Sequence, residues 1–114
     1  TNSPLLSRLF SKDKAGIASI KSCNMGFWME DIVRVNGFNE DFVGWGREDS
    51  EFAIRLLNSG TKRQNLAFAG IAYHLHHQEN SRQSLAANDA LLEKAISEKS
   101  TYCRNGIDKH LSKK

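Results

Sequence analysis

The chain has 114 residues, of which 39% are apolar and 25% charged, with a formal net charge of +3. That length holds one small domain with one modest core, and the composition excludes a disordered chain. No apolar run is long enough to span a bilayer, and no basic helix interleaves aromatics in a nucleic-acid-binding pattern, so no nucleic-acid partner is expected.

Small concentrations of positive charge occur at Lys12/Lys14 and in the tail at Lys109, His110, Lys113 and Lys114. An anionic membrane surface would attract such a chain weakly, which leaves peripheral membrane association open. Solvated surface charge is the simpler reading of each lysine. Cys23 and Cys103 stand far apart without a partner motif, so neither a disulfide framework nor a zinc ribbon is expected. A reducing compartment is the simplest setting. The opening TNSPLLSRLFSKDK lacks the apolar core of a signal peptide, and no methionine starts the chain. A piece of a longer protein is therefore expected.

Residues 1–15 are polar and read as an irregular lead-in. IASIKSCNMGFWM, residues 17–29, mixes β-branched, aromatic and small residues, and a strand is expected over about 18–23. MEDIVRVN, residues 29–36, reads as a short helix closed by Gly37. FNEDFVGWG, residues 38–46, is a glycine-punctuated loop. Glu48 to Ser59 is the clearest helix, with Phe52, Ala53, Leu56 and Leu57 on one stripe. Gly60 ends it. Two short strands are expected near 63–68 and 70–75. A long amphipathic helix is expected from about Ser81 to Lys99, with Leu85, Leu92, Ala95 and Ile96 as its apolar line and Ser81 as its cap. Asn105-Gly106 is a turn signal.

Three places could carry chemistry. Asp49 and Leu56 are seven residues apart, nearly two full turns, so Asp49 falls on the apolar stripe and points inward. The alternative is an acid that complements the helix dipole. Glu51, four residues before Arg55, reads as half of a solvent-exposed ion pair worth a few tenths of a kcal/mol. Gly44 and Gly46 bracket Trp45. Such glycines allow a sharp turn that leaves the ring open to a ligand, such as the C–H face of a sugar. The alternative is a buried tryptophan anchoring the loop. Finally, AYHLHHQEN places His74, His76 and His77 within four residues, a density that suits metal ligation. Ordinary surface histidines fit the same pattern.

GFNEDFVGWGREDSEFAIRLLNSG, followed by AYHLHH, resembles the C-terminal half of the catalytic domain of glycosyltransferase family 2 and its galactosyltransferase-type relatives. SCNMGFWMEDIVRVNGF is similar to the segment that precedes this motif. The resemblance covers roughly residues 20–80, and its W-G-x-E-D, upstream N-G-F-N-E and downstream H-x-x-H come in the family's order.

The resemblance implies a fold class: an α+β fragment of an α/β GT-A fold, mainly helices with a few short strands. It implies that residues 1–114 are the C-terminal, acceptor-side segment of a glycosyltransferase catalytic domain. Asp49 matches the catalytic base of inverting members. Glu48 matches an acceptor-binding acid, and Trp45 with Gly46 matches the aromatic turn lining the sugar site. His77, and more weakly His74, match the segment that binds Mn²⁺ or Mg²⁺ on the nucleotide diphosphate. The implied partners are a nucleotide-sugar donor and a carbohydrate acceptor. The implied setting is bacterial surface polysaccharide or lipopolysaccharide synthesis, in the cytoplasm at the inner face of the membrane.

The sequence also departs from that family. The strand–helix units and D-x-D of the nucleotide-binding half are absent, so the chain alone is expected to be inactive and to self-associate through cut surfaces. Arg47 replaces a small residue common in the galactosyltransferase relatives, which opens the question of sugar preference. The competing readings are a non-catalytic carbohydrate-binding or interaction module and a histidine-based metal-binding domain. The upstream sequence distinguishes them, since a D-x-D after several strand–helix units belongs to the enzyme.

Overall fold

The computed structural model describes residues 2–14, 16–17 and 20–111. Among the described residues four α-helices dominate: α1 Pro4–Phe10, α2 Met29–Arg34, α3 Glu48–Asn58 and α4 Leu85–Ser97. Two strands, β1 Lys12–Lys14 and β2 Arg63–Asn65, pair antiparallel with Asp13 opposite Gln64.

The lead-in is not irregular throughout. Ser3 caps α1 by accepting from the Leu6 N–H, and Pro4 occupies the first turn, where no N–H is needed. The Ser3 N–H donates to Phe68 O, and Phe10 meets the Phe68 ring edge-on at 5.8 Å. These contacts fix α1 and β1 beside residues 63–68. β2 thus pairs with the lead-in, and no strand forms at 70–75. Of the strand expected over 18–23, Ala18 and Ser19 lie outside the described residues. Ser22–Asn24 form a short 3₁₀ turn instead.

α2 ends as Gly37 predicts. The Gly37 N–H reaches back to Ile32 O at 2.8 Å, and both Asn36 (φ +67°) and Gly37 (φ +68°) are left-handed. α3 ends similarly at Gly60, with Thr61 N–H donating to Leu56 O at 3.1 Å. α4 begins four residues later than the sequence suggests. Its cap position is Ser84, whose side chain makes no capping bond, and Ser81 belongs to the preceding segment.

The core lies around α3. Val35, Phe52 and Leu56 are its buried centre, with Met25 and Ile32 packed against them. Phe52 stacks on Phe38 at 4.4 Å and meets Phe27 edge-on at 5.0 Å. α4 packs on α3 and buries Asn88 and Ala95.

One face of α3 overturns the sequence expectation. Glu51 is 3% exposed and Arg55 is wholly buried. Arg55 Nε and Nη2 donate to the two Glu51 carboxylate oxygens at 2.8 and 2.9 Å. Its Nη1 and Nη2 also donate to Val35 O and Gly37 O. The left-handed turn after α2 leaves those carbonyls without helical partners, and the guanidinium satisfies them. The pair is an internal brace between α2 and α3, not a surface pair.

Candidate active site

The loop 43–47 leads into α3 and carries Trp45. Gly44 (φ +73°) and Gly46 (φ +109°) make the sharp turns expected of them, and Arg47 is left-handed as well (φ +76°). A Cβ at Gly44 would stand 2.8 Å from Ser81 O, and one at Gly46 would stand 2.9 Å from Leu85 Cδ1. The glycines therefore serve close approach to the segment leading into α4 as well as the turn. Trp45 is 39% exposed, but not freely so. The Arg82 guanidinium lies over its ring at 4.1 Å from the centroid. The Trp45 N–H donates to Ser81 O at 3.2 Å.

Glu48 and Asp49 follow in the first turn of α3, and both are half-buried. The Ser22 N–H donates to Asp49 Oδ2 at 3.0 Å, which orients the carboxylate. Glu48 Oε2 is buried without a hydrogen-bond partner among the described residues. A buried acceptor left unpaired is costly. Trp45 and Gly46 thus lie in the loop that enters α3, and Glu48 and Asp49 in the first turn of that helix. A groove of about 940 Å³ lies elsewhere around α3, and none of Trp45, Gly46, Glu48 and Asp49 lines it. Lys21 and Cys23, the neighbours of Ser22, line it together with Ala53, one turn after Asp49.

His74 and His77 are exposed, with Nε2 atoms 3.1 Å apart. The His77 Nδ1–H donates to Gln78 O at 3.0 Å, which in the neutral ring leaves the Nε2 lone pair facing His74 Nε2. Two nitrogens each about 2.1 Å from one cation at roughly right angles stand about 3 Å apart, so the pair fits two ligands of one ion. The same spacing is an N–H···N bond between neutral rings. No group of three or more histidine, cysteine or acidic ligands forms among the described residues, so the ligand set is not complete there. His76 is exposed and outside this pair.

Sequence reasoning missed the residues that hold this site. Ser22 sits in a stretch read as strand. Arg82 has no motif. Asn88 did leave a signal: it falls between Leu85 and Leu92 on the apolar line of α4 and is the polar exception there.

The family described as the N-terminal domain of galactosyltransferase matches residues 8–78. That is more than half of the chain, and the chain belongs to this family. It is a family of glycosyltransferase domains, so the enzyme class is that of a transferase. The description names an N-terminal domain, so placing these residues on the C-terminal, acceptor side rests on the motif resemblance. No curated protein sequence and no solved structure matches the chain. Among the described residues no helix is long and apolar enough to cross a membrane.

Proposed function

We propose that the chain is the acceptor-side part of an inverting, GT-A glycosyltransferase related to family 2. It would pass a sugar from a nucleotide-sugar to a carbohydrate acceptor, and the family's description makes galactose the first donor sugar to test. The observation that carries this reading is the first turn of α3. Glu48 presents a buried oxygen with no partner among the described residues beside Asp49, whose carboxylate is aimed by the Ser22 N–H.

In this reading the acceptor sugar lies against the face of Trp45 opposite Arg82, with a hydroxyl held by Glu48. Asp49 accepts the proton of the attacking hydroxyl as its oxygen forms the new bond to the anomeric carbon. The bond from that carbon to the diphosphate breaks on the opposite face, and the diphosphate leaves with the electron pair. His77 and His74 would hold a divalent cation with further ligands from the donor-binding part of the enzyme. When bound, such a cation neutralises the departing diphosphate. Bacterial surface polysaccharide synthesis at the cytoplasmic face of the membrane is the setting the resemblance supports.

The test is Asp49→Asn in the full-length enzyme. Transfer should fall by about 10²–10⁴-fold, with donor binding and melting temperature retained. Glu30→Gln is the control, because Glu30 is also a first-turn helix acid and is solvent-exposed. Equal activity in the two variants would return Asp49 to a helix-dipole role.

A further inference from the structure

The loop 43–47 contains three left-handed residues, Gly44, Gly46 and Arg47, and makes few bonds of its own. A loop of this kind persists only when its surroundings hold it. Its support comes from α4 and the segment before it, both outside the family match at 8–78. Asn88 is 2% exposed on the inner face of α4. Its Nδ2 donates to Val43 O and Gly46 O, both at 3.0 Å, so its two N–H groups grip the backbone on either side of Trp45. Asp89, next to it, pairs with Arg47.

We propose that Asn88 is a positioning residue of the acceptor site, clamping the 43–46 loop so that the Trp45 ring keeps a fixed place relative to Glu48 and Asp49. The role rests on the reading of Trp45 as an acceptor-sugar platform. Only an amide serves here. An aspartate has the same shape but no hydrogen to donate, and it would face two carbonyl oxygens. An apolar side chain would leave the buried Gly46 carbonyl and the partly buried Val43 carbonyl without this donor.

The experiment uses the chain carrying Trp28→Phe, which removes a 76% exposed indole and leaves Trp45 as the sole tryptophan. Asn88→Asp and Asn88→Ala are compared with this parent by circular dichroism and by acrylamide quenching of Trp45 well below the melting temperature. Each protein is then titrated with galactose, glucose and N-acetylglucosamine while Trp45 emission is followed. In folded variants, quenching should rise above the parent's. The affinity for the sugar that perturbs the parent's emission should fall about tenfold, the equivalent of roughly one hydrogen bond. Unchanged quenching in a folded variant overturns the proposal, as does raised quenching with unchanged affinity. Loss of the whole fold in both variants also overturns it, by making Asn88 a general core residue. If no sugar moves the parent's emission while quenching rises in the variants, the sugar-platform reading of Trp45 fails and the clamp stands.

Discussion

Arg55 shows what a single residue hides in a sequence. Its spacing from Glu51 fits an exposed i, i+4 pair, and nothing in the side-chain pattern announces two carbonyls from another helix end. Backbone acceptors leave no trace in residue type, so a helix with two buried faces reads as a helix with one. The energetic consequence is large. Removing one partner of a buried, multiply bonded pair typically costs about 3–5 kcal/mol, against a few tenths for an exposed helical pair. Glu51→Ala should therefore lower the unfolding free energy by about 3 kcal/mol in urea titration, and a loss of only a few tenths would show that the pair is not an internal brace. Cys103 behaves by the same logic of burial. Desolvation pushes its thiol pKa up, with smaller opposing and reinforcing effects from Arg55 and Glu51. Because burial penalises the thiolate, the folded state holds this proton more tightly, so stability is unaffected below the unfolded pKa and falls as pH rises from there through the folded one. At mildly alkaline pH, exposed Cys23 should react quickly with a thiol reagent and Cys103 only on unfolding. Equal labelling rates for both in the folded chain would contradict this.

At the scale of elements, α2 and α3 were legible because their signals are local: an apolar stripe and a terminal glycine. The strands were not. Each is three residues long, and β2 exists through pairing with β1 about fifty residues earlier, which no local pattern records. The start of α4 was misplaced for a related reason. Residues 81–82 are spent covering Trp45, so the helix waits until Leu85. The glycines allow this to be tested. Gly60 (φ +90°) has open space where a Cβ would go, so Gly60→Ala should cost only the left-handed penalty of about 1–2 kcal/mol. Gly44→Ala carries the same penalty and also drives a Cβ against the Ser81 carbonyl, a backbone atom that cannot swing aside. It should be the more destabilising change by thermal denaturation, and it should raise the exposure of Trp45. If the two changes cost the same, the contact between the loop and the segment before α4 is not a tight one.

For the whole molecule, the residues beyond the family match are structural partners of those within it. The candidate catalytic residues were legible because they lie in a compact motif, Trp45 to Asp49. Their supports were not, because they are scattered: Ser22 bonds Asp49 from a stretch that reads as strand, and Ser81, Arg82, Asn88 and Asp89 hold the loop from beyond the match. Asn36 is 1% exposed, and its amide donates to Cys103 O and Asp108 Oδ1 while its Oδ1 accepts from the Asp108 N–H. Ile107 N–H donates to Asn36 O, and Gly106 sits where any Cβ would collide with that same carbonyl. Ala95 and Cys103 supply buried apolar surface that residues 8–78 cannot replace. Cutting the chain after residue 78 would therefore strand the buried Asn36 side chain, free the 43–47 loop and uncover α3. Each hydrogen bond exchanged for water costs about 0.5–1.5 kcal/mol, the uncovered apolar surface adds to this, and a small domain has only about 5–15 kcal/mol in total. The truncated chain should lose cooperative thermal unfolding and near-ultraviolet circular dichroism, and adding residues 79–111 as a separate peptide should not fully restore them, because tethering supplies their effective concentration. A sharp melting transition in the chain of residues 1–78, near that of the full chain, would mean that the matched segment folds by itself and that α4 and the tail merely decorate it.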